Sequence, residues 1–455
     1  MNKYLIRDKQ FYKTAMILAS PVVLQNMITI AVNMLDTIML GSFGEVQLSG
    51  SSLANSFISI YQILCMGIGG GAAVLTAQYW GAEDIPALRK ITVLMMRISM
   101  LLATLFMTAT LMMPGLIMRM YTPDQEVIDA GVAYLRLVAP TFILMGLAQP
   151  MTIVLRSVHE VKLPLILSVF SFFINLFFNW LLIFGNLGMP QLQIRGAAIA
   201  TVIARLFETS VIFIFVFVKD KRIGLRIHHL FERCGNYLQG YLKYSIPVII
   251  SDFLLALGNT AVTMIMGHLS ASFVAANSIV ALTVRLSTVM NQGFANAGSI
   301  MTGNLLGQGK REQAHRQGIM FLILSAALGV LASVVIMLFC PLIIGAYNIT
   351  AETQEIAYQL MKSVAIMVIF QGTQSMLTKG VLRGGGDTRF LVVADIAFMW
   401  LLSIPLGYLS AYVWHLSAYW IYLFMKIDYI CKTVWCTIRL MGTKWIKIVA
   451  DSQTA

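Results

Sequence analysis

Residues 21–81 of this chain recur without a gap 226 positions later, over 247–307. Pro21/Pro247, Val22/Val248, Asn33/Asn259, Thr37/Thr263, Gly41/Gly267, Ser52/Ser278, Gly67/Gly293, Thr76/Thr302 and Gly81/Gly307 are identical. Most are Gly, Pro, Asn, Ser or Thr, which do local backbone work. The register persists at an offset of 227, where Leu155-Arg156-Ser157-x-x-Glu160-x-Lys162 lies over Leu382-Arg383-Gly384-x-x-Asp387-x-Arg389. The chain is two related halves. In a membrane protein such a repeat points to two lobes enclosing a shared site.

Composition places the chain in a membrane. Hydrophobic residues make up 58% of it and charged residues 11%, against roughly 25% charged in a soluble domain. No Asp, Glu, Lys or Arg occurs in 46–82, 163–194, 253–284, 317–351 or 396–425, and about 20 apolar residues suffice for a helical span. The pattern predicts an all-α integral membrane protein with twelve transmembrane helices in two pseudo-symmetric six-helix lobes. The predicted spans lie near 15–40, 52–79, 91–113, 129–155, 163–184 and 196–218, then 242–268, 275–305, 318–343, 353–381, 388–413 and 416–440. Domain boundaries follow: an amino-terminal lobe 1–218, a linker 219–241, a carboxy-terminal lobe 242–440 and a tail 441–455. The basic linker reads either as a surface-lying helix or as a plain topological connector.

Lysines and arginines set the orientation. They gather before the first helix (Lys3, Arg7, Lys9, Lys13), in the even-numbered connections (Arg89 and Lys90; Arg156 and Lys162; Lys219 to Arg233; Lys310 to Arg316; Arg383 and Arg389) and in the tail, while the other side holds only Arg119 and Arg195. Both termini are therefore expected in the cytoplasm. A net charge of +12 spread over seven short segments sets topology; a nucleic-acid binder would concentrate it on one face. The first apolar stretch is too long for a cleavable signal core. The five cysteines show no CxxC spacing, which speaks against a disulfide framework.

Ionisable and amide side chains at bilayer depth are the functional candidates, because a charge there costs at least a few kcal/mol. Asp36 stands in the outer part of the first span, one turn after Asn33. In the second half Asn259 repeats Asn33, but Val262 replaces Asp36. A carboxylate in one half only points to cation binding and release by the amino-terminal lobe; a purely structural, hydroxyl-capped carboxylate is the alternative. Asn175 and Asn179, four apart in an otherwise Phe- and Leu-rich span, share a face, and Thr201 offers a hydroxyl from the next helix. Interhelical hydrogen bonding would account for the same amides. Arg205 and Glu208 are spaced to pair with each other. Asp252, near mid-depth of helix 7, is read as a group that either attracts a cationic substrate or pairs with a base such as Arg285. Asp395, Lys362, Lys379, Lys426 and Asp428 are further candidates for pairing.

Taken together, the two-lobe plan, Pro21 and Pro247, Asp36 before Gly41, Gln78-x-x-Gly81-Ala82, Gly303-Asn304-x-x-Gly307-Gln308-Gly309 and Arg383-Gly384-x-Gly386-Asp387 resemble the multidrug and toxic compound extrusion (MATE) transporters. The resemblance implies a secondary active antiporter. It would export organic, mostly cationic and amphipathic, compounds in exchange for protons or sodium by alternating access. It also implies that Asp36, Asn175, Asn179 and Thr201 form the amino-lobe cation site, with sodium as one occupant of Asp36, Asn175 and Asn179. Many relatives carry an acid where this chain has Asn179. Acids found in helices 7 and 10 of the NorM-like branch fall on Leu255 and Gly372, so that second site does not carry over and the DinF-like pattern is the better match. The implied partners are small organic molecules and membrane lipids, not nucleic acid, with no cofactor beyond the coupling ion. The implied setting is a monomer in a bacterial plasma membrane, its central cavity lined by Met, Phe and few charges.

Two rival readings remain at this level. A lipid-linked oligosaccharide flippase of the wider superfamily would need a wide, strongly cationic cavity. An integral membrane enzyme is disfavoured, since the chain has no DDxxD, HExxH or GxSxG motif and its six histidines are scattered.

Overall fold

The computed structural model describes residues 9–345, 347 and 349–448; Lys3 and Arg7, which carry part of the predicted topological signal, lie outside them. Among the described residues, beside shorter segments such as Pro114–Arg119, twelve main helical segments occur in chain order. They are α1 (Lys9–Gly41), α2 (Glu45–Gly81), α3 (Ile85–Met112), α4 (Gln125–Val138 and Pro140–Ser157), α5 (Lys162–Phe184) and α6 (Ile194–Lys219). The second half continues with α7 (Gly235–Gly267), α8 (Ala271–Gly307), α9 (Arg311–Gly345), α10 (Ala351–Gly384), α11 (Thr388–Val413) and α12 (Ala418–Met425 and Asp428–Met441). No strand is present among the described residues. Ten of these helices are long and apolar enough to cross a membrane singly, and α4 does so as a pair bent by 50°. The bend falls at Ala139, before Pro140, whose ring cannot continue the hydrogen-bond ladder. α12 is interrupted at Lys426 and Ile427 and carries Asp428, Lys432 and Arg439.

The repeat is visible in the backbone. α1 and α7 are each 33 residues with an internal proline, Pro21 and Pro247. α2 and α8 are each 37 residues. Just after α2, Glu83 takes a left-handed φ of 59°, and its counterpart Gly309 takes 75°. After α4 and α10, His159 (64°) and Gly386 (84°) form a second such pair. The amide of Glu160 closes onto Leu155 O at 2.8 Å, as the amide of Asp387 does onto Leu382 O at 3.1 Å. Glycine adopts this conformation freely and a β-carbon opposes it. His159→Gly is therefore expected to leave transport intact and to be neutral or mildly stabilising in a detergent melting experiment; a melting loss of several degrees would contradict this.

The chain forms two compact units that do not coincide with the sequence halves. One comprises Met1–Val23, Ala73–Glu83 and Ile246–Ala455, the other Leu24–Ala72 and Asp84–Ser245. In the second of these, the rings of Tyr61, Phe106 and Phe142 pack edge-on or tilted at centroid distances of 5.0–5.7 Å, and the Tyr61 hydroxyl donates to Phe142 O at 3.0 Å. In the other, Val262, Ile279, Leu360, Met361 and Met425 are part of a dry core. The expected 219–241 linker is not a surface α-helix. It contains one 3-10 turn, Ile227–Phe231, and α7 already begins at Gly235. Its unpaired carbonyls need donors, which α3 supplies: Arg89 Nε donates to Ile223 O at 2.6 Å, and Arg97 Nη2 to Leu230 O and Glu232 O at 2.6 and 2.7 Å.

Candidate cation site and carboxy-terminal charge cluster

α1 and α5 bring Asp36, Asn175 and Asn179 together. Asn179 Nδ2 donates to Asp36 Oδ1 at 2.5 Å and to Asn175 Oδ1 at 3.0 Å. Asn179 is fully buried and Asn175 is 5% exposed. With both donations made, the Asn179 carbonyl oxygen remains buried without a partner, a costly state for an acceptor in a dry interior. The site thus holds one carboxylate and one idle neutral oxygen, which suits a small cation or a proton carried on Asp36.

Thr201, from α6, does not reach Asp36. Its hydroxyl donates to Ala197 O at 2.9 Å, and it also pairs with the buried Tyr134 of α4, which Asn55 of α2 contacts too. Tyr134 and Asn55 escaped sequence reasoning, because nothing in their local spacing marks them. Arg205 and Glu208 pair at 2.8 Å. Asn33 stays exposed, its backbone carbonyl accepting from Thr37 at 2.7 Å.

In the second half, Val262 at the position equivalent to Asp36 is a 2%-exposed core residue. Asn259 is exposed; its Nδ2 donates to Leu255 O at 2.9 Å and its Oδ1 accepts from Lys426 at 3.2 Å. The expected Asp252–Arg285 pair is not formed. Asp252 pairs with Arg383 at 3.2 Å. The repeat gives the reason: Arg156, equivalent to Arg383, likewise reaches back to the first helix of its own half and donates to Gln25 Oε1 at 2.5 Å. Gly372 packs against Asn291, whose side-chain amide would have to shift to admit a β-carbon there.

Asp395 and Asp428 meet at Lys432, which was not singled out from sequence. Lys432 Nζ lies 3.1 Å from Asp395 Oδ1 and 3.1 Å from Asp428 Oδ2, and all three side chains are at most 5% exposed. Ser251 donates to Asp395 Oδ2, and Ser403 to Asp428 Oδ1 at 2.9 Å. The Asp428-x-x-x-Lys432 spacing was the available signal, since side chains four apart face each other on a helix. Removing the shared cation would leave two carboxylates uncompensated, and breaking one buried pair costs about 3–5 kcal/mol. Lys432→Met is accordingly expected to lower melting temperature in detergent sharply, and adding Asp395→Asn with Asp428→Asn to recover most of the loss. No recovery in the triple variant would show that the cluster does not act as a unit.

These features define a two-fold-repeated helical membrane protein with clusters of ionisable side chains inside both halves, the build of a membrane transporter. The MatE family model matches the chain twice, over residues 21–181 and 247–409, its two starts falling on the repeat partners Pro21 and Pro247. The chain belongs to the MatE family. It is 23% identical over 433 residues to the probable multidrug resistance protein NorM of Thermotoga maritima, covering 94% of this chain and 92% of that protein. It is 24% identical over 430 residues to the NorM protein of Bacillus cereus, covering 92% and 93%. Among solved structures, the outward-facing conformation of a multidrug resistance MATE family transporter matches with a TM-score of 0.85 at 17% identity, covering 95% of this chain and 96% of that one. The crystal structure of MATE in the bent conformation matches with a TM-score of 0.85 at 16% identity, covering 98% of this chain and 97% of that one.

Proposed function

We propose that this protein exports organic, mostly cationic and amphipathic, compounds across a bacterial plasma membrane, driven by inward movement of a coupling cation bound at Asp36. The observation that carries the reading is the Asp36–Asn179–Asn175 cluster with its idle Asn179 oxygen. The Asn179 amide, itself held by Asn175, fixes the carboxylate in place without neutralising it, so a cation or proton must complete the site. An ion gradient drives the cycle only if that loading has different free energies in the two access states. With Asn at 179 the cluster offers one carboxylate and one free amide oxygen, enough to place a proton on Asp36 but few oxygen ligands for a hard metal ion, so proton coupling is favoured over sodium. The multidrug names carried by the NorM relatives support efflux over lipid-linked oligosaccharide flipping.

The test is transport of a fluorescent organic cation in proteoliposomes under separately imposed proton and sodium gradients. Accumulation driven by the proton gradient alone is expected. Transport driven only by sodium would reassign the ion, and transport indifferent to both would remove the antiport reading. Asp252 is committed to Arg383, so Asp252→Asn should reduce transport only a few-fold and alter the ranking among substrates; complete loss would make Asp252 a coupling group.

A further inference from the structure

The carboxy-terminal helices enclose a cavity of about 180 Å³, roughly the liquid volume of six waters. Seven charged groups stand in or behind its wall: Lys379, Arg383, Lys432, Asp395 and Asp428 line it, Asp252 backs Arg383, and Lys426 donates to the lining residue Asn259. They sum to +1, and they are not equally engaged. Both oxygens of Asp395 and both of Asp428 are taken by Lys432, Ser251 and Ser403. Lys432 is shared between the two. Arg383 meets Asp252 through one terminal nitrogen. Lys379 is exposed and makes no ion pair among the described residues. The acids are saturated internally, while an ammonium and part of a guanidinium, four residues apart, are left facing the cavity.

Neutral groups fill the rest of the wall. Asn291 is 1% exposed and its Oδ1 has no partner, an acceptor open to a ligand hydroxyl or amide. The backbone is irregular at the same place. Lys379 lies within a π-helical turn, Met376–Val381, and a second, Ala397–Ser403, starts two residues after Asp395 and ends on Ser403. Such turns concentrate at functional sites because they re-aim side chains.

We infer that this cavity is a binding site for an anionic group, a carboxylate or phosphate carried on a small organic ligand, held by Lys379 and Arg383. The site widens the substrate range beyond cations: a zwitterion would place its acidic end here. The inference rests on the transport reading only for that last step, since the binding itself needs no ion gradient.

The experiment uses purified full-length protein in detergent and three probes sharing one ring: benzoate, benzylamine and benzyl alcohol. Calorimetric titration should show benzoate binding at least tenfold more tightly than the alcohol, and benzylamine no more tightly than the alcohol. Lys379→Gln, at an exposed position without an ion pair, should bring benzoate down to the level of the alcohol. Lys379→Glu should reverse the order of benzoate and benzylamine. Benzylamine preferred by the unaltered protein, three equal probes, or a benzoate preference that survives Lys379→Gln would each overturn the inference. Asp36→Asn should leave benzoate binding unchanged. Undiminished gradient-driven efflux by that variant, alongside intact benzoate binding, would count against the coupling reading and leave this site standing.

Discussion

Asp36→Asn should abolish gradient-driven efflux and leave the protein folded. The replacement is nearly isosteric and keeps an oxygen to accept from Asn179 Nδ2, now 2.5 Å from Asp36 Oδ1, so the local packing survives. What disappears is the one formal charge of the site. A neutral amide neither takes up a proton nor holds a cation with comparable strength, and without differential loading an ion gradient has nothing to act on. In proteoliposomes, efflux should fall at least tenfold, to the leak of protein-free vesicles, while the detergent melting temperature stays within a few degrees. Undiminished, gradient-dependent transport by this variant would remove Asp36 from the mechanism.

A single methyl group at Gly81 or Gly307 should be nearly as damaging. These glycines are repeat partners at the C-terminal ends of α2 and α8, and their contacts are reciprocal. A β-carbon on Gly81 would overlap the carbonyl of Asn304, and one on Gly307 would overlap the carbonyl of Gln78. Gln78 and Asn304 are themselves repeat partners. One turn earlier Gly303 would meet the Ala77 β-carbon at 2.7 Å. Small residues let two membrane helices touch backbone to backbone, and backbone carbonyls cannot step aside as a flexible side chain can. Gly81→Ala and Gly307→Ala should each cut transport at least tenfold by holding the two helix ends apart. Spin labels at Glu83 and Lys310, in a background with the five native cysteines replaced, should report a longer distance in either variant. Gly240→Ala is the control, because nothing lies within 4 Å of a β-carbon there and alanine favours a helix. Normal transport with an unchanged label distance in Gly307→Ala would show that this contact is dispensable.

The sequence alone determined the repeat, the helical segments and the residues of the amino-terminal cluster, because each is written in local spacing. Apolar runs of 20 or more residues leave the backbone no alternative to helix in lipid. The 226-residue offset carried through to equal lengths for α1 and α7 and for α2 and α8. Asn175 and Asn179, four apart, had to share a face. Partner choice was another matter. Asp252 takes Arg383 rather than Arg285, Thr201 turns to its own helix and Tyr134, and Asp395 and Asp428 converge on a lysine that spacing tied to only one of them. Each of these depends on how far one helix is rotated about its axis against another and where it bends, at Ala139 or at the π-helical turns of α10 and α11. Those quantities are set by the packing of whole helices. No short stretch of residues encodes them, so only the tertiary structure decided which charges are spent on one another and which are left for a ligand.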